Sequence, residues 1–193
     1  MNEDTSNKPS ALKQVIFGVV VAFAIAASAI VFLSSRIPRA NPPELQTLTC
    51  LQALAQSIEG FENEYKKLPD VSLLDFETEG REAVKLITIL LGREQGTQID
   101  KQNPRQIAFL ATRLTKNRRR GGLVYSSTNE IEGIYDAWGE PLRIILRPPG
   151  QSTLTVPHLG KQVTTSKPAV VLSRGPDQKW ETEDDIISRT DGP

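Results

Sequence analysis

The sequence predicts an α+β chain in which an N-terminal transmembrane helix is followed by helices packed on a small antiparallel sheet. Three observations carry that expectation. Residues 15–33 form a run of nineteen without a single charge. A long stretch with apolar residues three or four apart follows between Leu48 and Leu68. From Gly121 onward the chain breaks into short runs rich in β-branched residues, separated by turn formers. Helix first and sheet last is the order of an α+β fold. The expected domains are a tail over residues 1–13, the transmembrane helix over 14–35 and one globular domain over 36–193.

At about 1.5 Å per residue, a helix over residues 15–33 spans roughly 28 Å, close to the hydrocarbon thickness of a bilayer. A core of this chain length rarely encloses so long an apolar helix. A cleavable signal peptide is the other reading, because Ala27, Ser28 and Ala29 have the small-x-small pattern of a cleavage site. Against it, Ile30, Val31, Phe32 and Leu33 prolong the run beyond that site, as a stop-transfer anchor does. Lys8 and Lys13 precede the span and Arg36 and Arg39 follow it, so the positive-inside count is a tie.

The rest of the chain is long enough for one domain with a real core. The 23 basic and 23 acidic side chains of the whole chain cancel, which disfavours nucleic acid as a partner because phosphate neutralisation needs a basic excess. Cys50 is the single cysteine and His158 the single histidine. An intramolecular disulfide and a Cys/His zinc site are thereby excluded. A histidine-based triad would need His158, which follows Pro157 in a loop-like stretch.

Taken in order, Pro38, Pro42 and Pro43 make a stiff break, and Asn41, Pro42 and Glu44 have the form of a helix N-terminus. The helix that follows carries Leu48, Leu51, Ala55, Ile58, Phe61, Tyr65 and Leu68 on one face and stops near Pro69. A second helix is expected over 81–91, with Gly92 as its stop, and a third opening at Asn103 and Pro104, with Ile107, Leu110 and Leu114 on one face. Arg113, Lys116, Arg118, Arg119 and Arg120 form a basic run at its end. A solvated helix end favoured by the dipole is the ordinary reading of that run. Contact with anionic lipid or an acidic partner is the sharper one. Strands are expected at 123–127, 131–135, 142–146, 152–156 and 169–173, with turns at 136–141 and 148–150.

The segment from Ser173 to Ile186 is the one that suggests chemistry. It leaves an apolar strand, turns at Gly175 and Pro176, and brings Asp177, Asp184 and Asp185 back within about ten residues. Calcium takes six to eight oxygens, often mixing carboxylates with backbone carbonyls of a tight loop. An acidic solvated tail is the other reading of the same residues. Paired carboxylates also serve glycosidases, but no aromatic or histidine-rich groove accompanies these, and no enzyme activity is expected.

Asp136, Ala137, Trp138, Gly139, Glu140 and Pro141, with Ser173, Arg174, Gly175, Pro176, Asp177 and the stretch from Thr182 to Ile186, resemble the two characteristic blocks of the major pseudopilins of type II secretion and their relatives. The family forms are Asp-Pro-Trp-Gly-x-Pro and Ser-x-Gly-x-Asp-Gly running on to Asp-Asp-Ile. The segment from Asn103 to Leu110 also resembles a middle region of bacterial members. The resemblance implies a single-pass protein of the bacterial inner membrane, with a cytoplasmic tail and a periplasmic pseudopilin-like head. That head would be a non-catalytic structural part of a type II secretion or pilus-like assembly, partnered by the lipid bilayer and by other pseudopilin-like proteins, with no small-molecule substrate. It further implies calcium at Asp177, Asp184 and Asp185, with backbone oxygens from around Ser173 and Gly175, and Trp138 packed against the sheet. Two departures stand out. Gly18 is followed by Val19, Val20 and Val21 rather than by the prepilin peptidase signal, and Gln178 and Glu181 stand where the family prefers glycine. A free-standing envelope adaptor or binding module with the same head is the alternative.

Overall fold

Helix α1 (Pro42–Tyr65) opens the part of the chain that the computed structural model describes, residues 42–188. The chain divides into two units, Met1–Ala40 and Asn41–Pro193, and every described residue lies in the second. Two prolines sit in the first turn of α1, where a missing N–H costs nothing. Thr47, Cys50, Leu51, Leu54, Ser57, Ile58 and Phe61 are buried along it, at the three- and four-residue spacing of a single face. The helix ends where Lys66 turns into the left-handed region and its N–H closes on the Glu62 carbonyl at 2.7 Å. Helix α2 (Arg81–Leu90) buries Ala83, Leu86, Ile87, Ile89 and Leu90.

Nine strands accompany the helices: β1 (Asp75–Glu77), β2 (Leu114–Thr115), β3 (Gly122–Tyr125), β4 (Ile131–Tyr135), β5 (Arg143–Leu146), β6 (Leu154–His158), β7 (Lys161–Thr165), β8 (Ala169–Ser173) and β9 (Ile186–Ile187) among the described residues. They form an antiparallel sheet in the order β1-β5-β8-β9, a three-stranded sheet β2-β3-β4 and the hairpin β6-β7. In the three-stranded sheet β2 runs parallel to β3.

Side-chain alternation in β5 and β8 explains why these strands read as unbroken apolar runs. Ile144, Leu146, Ala169 and Val171 join the main core with α1 and α2, whereas Val170 and Leu172 form a second cluster with Leu154 and Val156 of the hairpin. Helices thus cover one face of the four-stranded sheet and the hairpin covers the other. Both alternating sets are withdrawn from water, each large side chain contributing about 1.5–3 kcal/mol. Thr78 stitches the two larger sheets together. Its N–H donates to Leu142 and its carbonyl accepts from Ile134. Its buried hydroxyl donates to the Ile134 carbonyl and accepts from the Leu142 N–H.

Several expectations are corrected. The fold described is a small α+β domain with two helices and three sheets, without a membrane-spanning helix. No helix among the described residues is long and apolar enough to cross a membrane. Helix α1 has the length, but Glu44, Glu59, Glu62 and Glu64 line its polar side. The single-pass inner-membrane location, the periplasmic placement of the domain and the lipid bilayer as partner therefore find no support in this fold. The run at residues 15–33 on which they rested lies outside the described residues, as do the tail and the span expected over 1–13 and 14–35. The single small sheet is three sheets, because the hairpin pairs only with itself and the other two ladders are joined through Thr78 rather than by a shared strand. The helix expected from Asn103 is absent. The buried Asn103 side chain donates to the carbonyls of Ile89 and Ile107 and accepts from the Ile107 N–H and the Tyr65 hydroxyl. This holds the segment in a turn, after which it runs extended beside the end of α2.

Candidate functional site

The two blocks singled out in the sequence, 136–141 and 173–186, meet in space. Asp136 follows the last residue of β4 and is completely buried. One of its oxygens accepts from the N–H groups of Trp138, Gly139 and Glu140 at 2.8–2.9 Å. The other accepts from the Ser173 hydroxyl at 2.7 Å. A carboxylate folding back on the next turn is the standard use of aspartate there. Four donors on one carboxylate compensate the cost of burying its charge. Ser173, at the end of β8, is itself buried and accepts from the Gly175 N–H at 3.1 Å. The Ala137 N–H reaches the Thr47 hydroxyl of α1 at 3.0 Å, so the turn is also tied to the helix.

Beyond Ser173 the chain passes Gly175, where φ is +64° and an added Cβ would overlap the Asp184 carbonyl oxygen. Only glycine serves at that crossing. Asp184 accepts from the Asp177 N–H at 3.0 Å and from the Thr182 hydroxyl at 2.6 Å. Asp177 accepts from the Lys179 N–H at 2.8 Å, and Asp185 from the Glu181 N–H at 2.8 Å. The Thr182 hydroxyl bond, followed by the Asp177 N–H, holds the Asp184 carboxyl below the usual carboxylate range. Burial pushes the Asp185 carboxyl the other way. Its second oxygen is buried and has no hydrogen-bond partner among the described residues.

Ser173, Gly175, Asp177, Asp184 and Asp185 lie in one loop. Each of the three aspartates faces an N–H of its own loop, and the Ser173 hydroxyl serves Asp136. Among the described residues no group of three or more His, Cys, Asp or Glu side chains is arranged to hold a metal ion. Hydrogen bonds of its own close this loop.

Three contacts fasten this loop to its surroundings. The Glu181 carboxylate accepts from Gly160 N–H at the tip of the β6-β7 hairpin, at 3.1 Å. Trp180 packs into the second cluster and lies under the guanidinium groups of Arg174 and Arg143, 5.0 and 5.6 Å from its ring centre. Arg174 in turn pairs with Glu77 and Glu140. Gln178 and Glu181 both have positive φ, 60° and 68°. The left-handed backbone that glycine would provide at those positions is kept without glycine. His158 ends β6 rather than lying in a loop.

Sequence reasoning named Asp136 as a motif residue and missed its part as the centre of the junction. The available signal was an aspartate directly ahead of a Trp-Gly turn. Cys50 is buried, and burial pushes its thiol up to about 11, so at neutral pH it is a protonated packing residue.

No family model matches the chain, and neither a curated protein nor a solved structure matches it. The place in a type II secretion or pilus-like assembly, and the pseudopilin-like partners that went with it, thus lack any matching family or relative and are set aside.

Proposed function

We propose that this domain is a free-standing, non-catalytic binding module. The observation that carries the reading is the Asp136–Ser173 junction. The carboxylate and hydroxyl that would otherwise suggest acid, base or nucleophile chemistry are both buried and spent on backbone N–H groups and on each other. They hold a turn, two strands and a helix in fixed relation, which is the work of a scaffold. On that scaffold large apolar side chains stand in water, with Leu114 65%, Leu45 55% and Leu73 51% exposed. Rigid elements presenting exposed side chains bind partners at low ordering cost.

The test is site-specific photo-crosslinking of the full chain in its own cells, with the reactive residue placed in turn at Leu45, Leu73, Leu114 and the exposed control Glu183. Discrete adducts with another protein at one or two of the leucines, and none at the control, are expected. Adducts made only of further copies of the chain overturn the free-standing reading. No adduct at any leucine overturns the module reading itself.

A further inference from the structure

Strand β2 is an edge of its sheet, and its pairing leaves the N–H and C=O of one residue unused. Leu114 is paired with Leu123 and Thr115 with Val124, in parallel register, and the Leu123 N–H donates to the Arg113 carbonyl at 2.9 Å. In a parallel ladder this register engages Arg113 and Thr115. The N–H and C=O of Leu114 point to the other side, where the order β2-β3-β4 has no strand among the described residues. Leu114 itself projects into water. A groove of about 620 Å³ lies between the end of β2 and the turn that follows β3, lined by Leu114, Lys116, Tyr125 and Asn129 among others.

Along the chain, the segment that forms this edge carries charge of one sign. Residues 111–122 carry Arg113, Lys116, Arg118, Arg119 and Arg120 and no carboxylate. The five differ in their duties. Arg118 is fixed to the scaffold, 3.1 Å from Glu79, 3.4 Å from Glu132 and 4.4 Å above the Tyr135 ring. The stem of Arg119 lies against Gly139. Arg113, Lys116, Arg119 and Arg120 are exposed and make no ion pair among the described residues.

We infer that the β2 edge receives an acidic, extended peptide segment of a partner protein by strand addition, the peptide backbone pairing with Leu114 and its carboxylates facing Arg113, Lys116 and Arg120. The inference rests on the binding-module reading and gives that module its partner chemistry. Charge complementarity selects the occupant. Lysine and arginine on an edge discourage pairing with a second copy of the same edge, since cation would meet cation, whereas an acidic strand meets the opposite charge of Arg113, Lys116 and Arg120. An anionic lipid surface would use the charges but has no use for an unpaired N–H and C=O in strand geometry. Strand addition uses both, with main-chain hydrogen bonds giving affinity and side chains giving selection.

The experiment is fluorescence anisotropy of the full chain with a labelled peptide that alternates glutamate and valine. Saturable binding is expected, weakening about tenfold or more between roughly 0.05 M and 0.5 M salt as exposed charges are screened. The Arg113→Glu, Arg120→Glu double variant should lose at least about tenfold in affinity, the order expected of reversing two charges at a steered interface. The same peptide N-methylated at alternate residues keeps its charge but cannot pair, and it should not bind the unaltered chain. Equal binding of the N-methylated peptide overturns strand addition whatever the variant does. Unchanged affinity in a folded double variant overturns the charge assignment. Binding to vesicles containing phosphatidylserine with none to the peptide overturns the choice of partner. Adducts at Leu45 or Leu73 without peptide binding sink this edge and leave the module standing, whereas absence of adducts at all three leucines sinks the module.

Discussion

Asp136 gathers four donors onto one buried carboxylate, and Ser173 is the one that comes from a different strand. Ser173→Ala leaves the Gly175 N–H without its acceptor and one carboxylate oxygen without its donor. A buried hydrogen bond to a charged group contributes about 1.5–3 kcal/mol, so the variant should lose roughly 2–3 kcal/mol. For a domain of this size that lowers the unfolding midpoint by about 5–10 °C, measurable by calorimetry. Asp184 and Asp185 make a second pair of expectations with opposite signs. The Asp184 carboxyl is lowered from 3.8, chiefly by Thr182. Its contribution is present above pH 3.8 and is lost as pH falls through the lower folded value. The Asp185 carboxyl is raised from 3.8, chiefly by burial. Protonation favours its folded form, so its contribution is full below pH 3.8 and is lost as pH rises through the higher folded value. Thermal unfolding followed from pH 3 to pH 6 should therefore show Asp185→Asn gaining on the wild-type chain as pH rises and Asp184→Asn falling behind it. Parallel curves for the two variants would contradict the assignment.

Among the elements, the C-terminal loop holds a left-handed residue at Gln178, which has a Cβ and makes no hydrogen bond that its side chain must keep among the described residues. Left-handed geometry costs a non-glycine residue about 1–2 kcal/mol, of which glycine's greater unfolded-state entropy returns part. Gln178→Gly should raise stability by up to about 1 kcal/mol in chemical denaturation, whereas Glu181→Gly, which forfeits the bond to Gly160, should not. The same elements show where the sequence was readable. Helix α1 and helix α2 were legible because their apolar residues keep a single period over several turns, and β4 and β8 because turn formers bracket them. Segment 103–113 was not, because an Asn-Pro pair followed by apolar residues three and four apart describes a helix start as well as a turn pinned by Asn103. Strands β1, β2 and β9 are two or three residues long, too short to show any period, and exist only because a longer neighbour offers them an edge. At the candidate site the residues were legible and their partners were not. A list of aspartates does not reveal whether each faces a metal or the N–H two residues away.

Taken whole, the described domain has two apolar clusters on opposite faces of one sheet, and they are unequal. The main core joins both helices to β5, β8 and the second sheet, while the smaller one rests on Leu154, Val156, Val170 and Leu172 with Ile145, Trp180 and Ile187 packed against it. The hairpin that closes the smaller cluster hydrogen-bonds only to itself as a sheet, and the loop at its tip is held through Glu181. Fewer buried contacts and a separate ladder define a unit that opens below the global free energy. Hydrogen exchange should show β6 and β7 exchanging by such an opening while β5 and β8 exchange only on global unfolding. Leu154→Ala and Leu86→Ala each remove a buried leucine and each cost about 2–5 kcal/mol where the surroundings are rigid. If the hairpin is a separate unit, Leu154→Ala speeds exchange in β6, β7 and around Trp180 and leaves α2 protected. Leu86→Ala lowers protection everywhere. A uniform loss of protection in both variants would mean that the two faces of the sheet unfold as one, and that the acidic loop, tied to the hairpin tip, shares the stability of the whole.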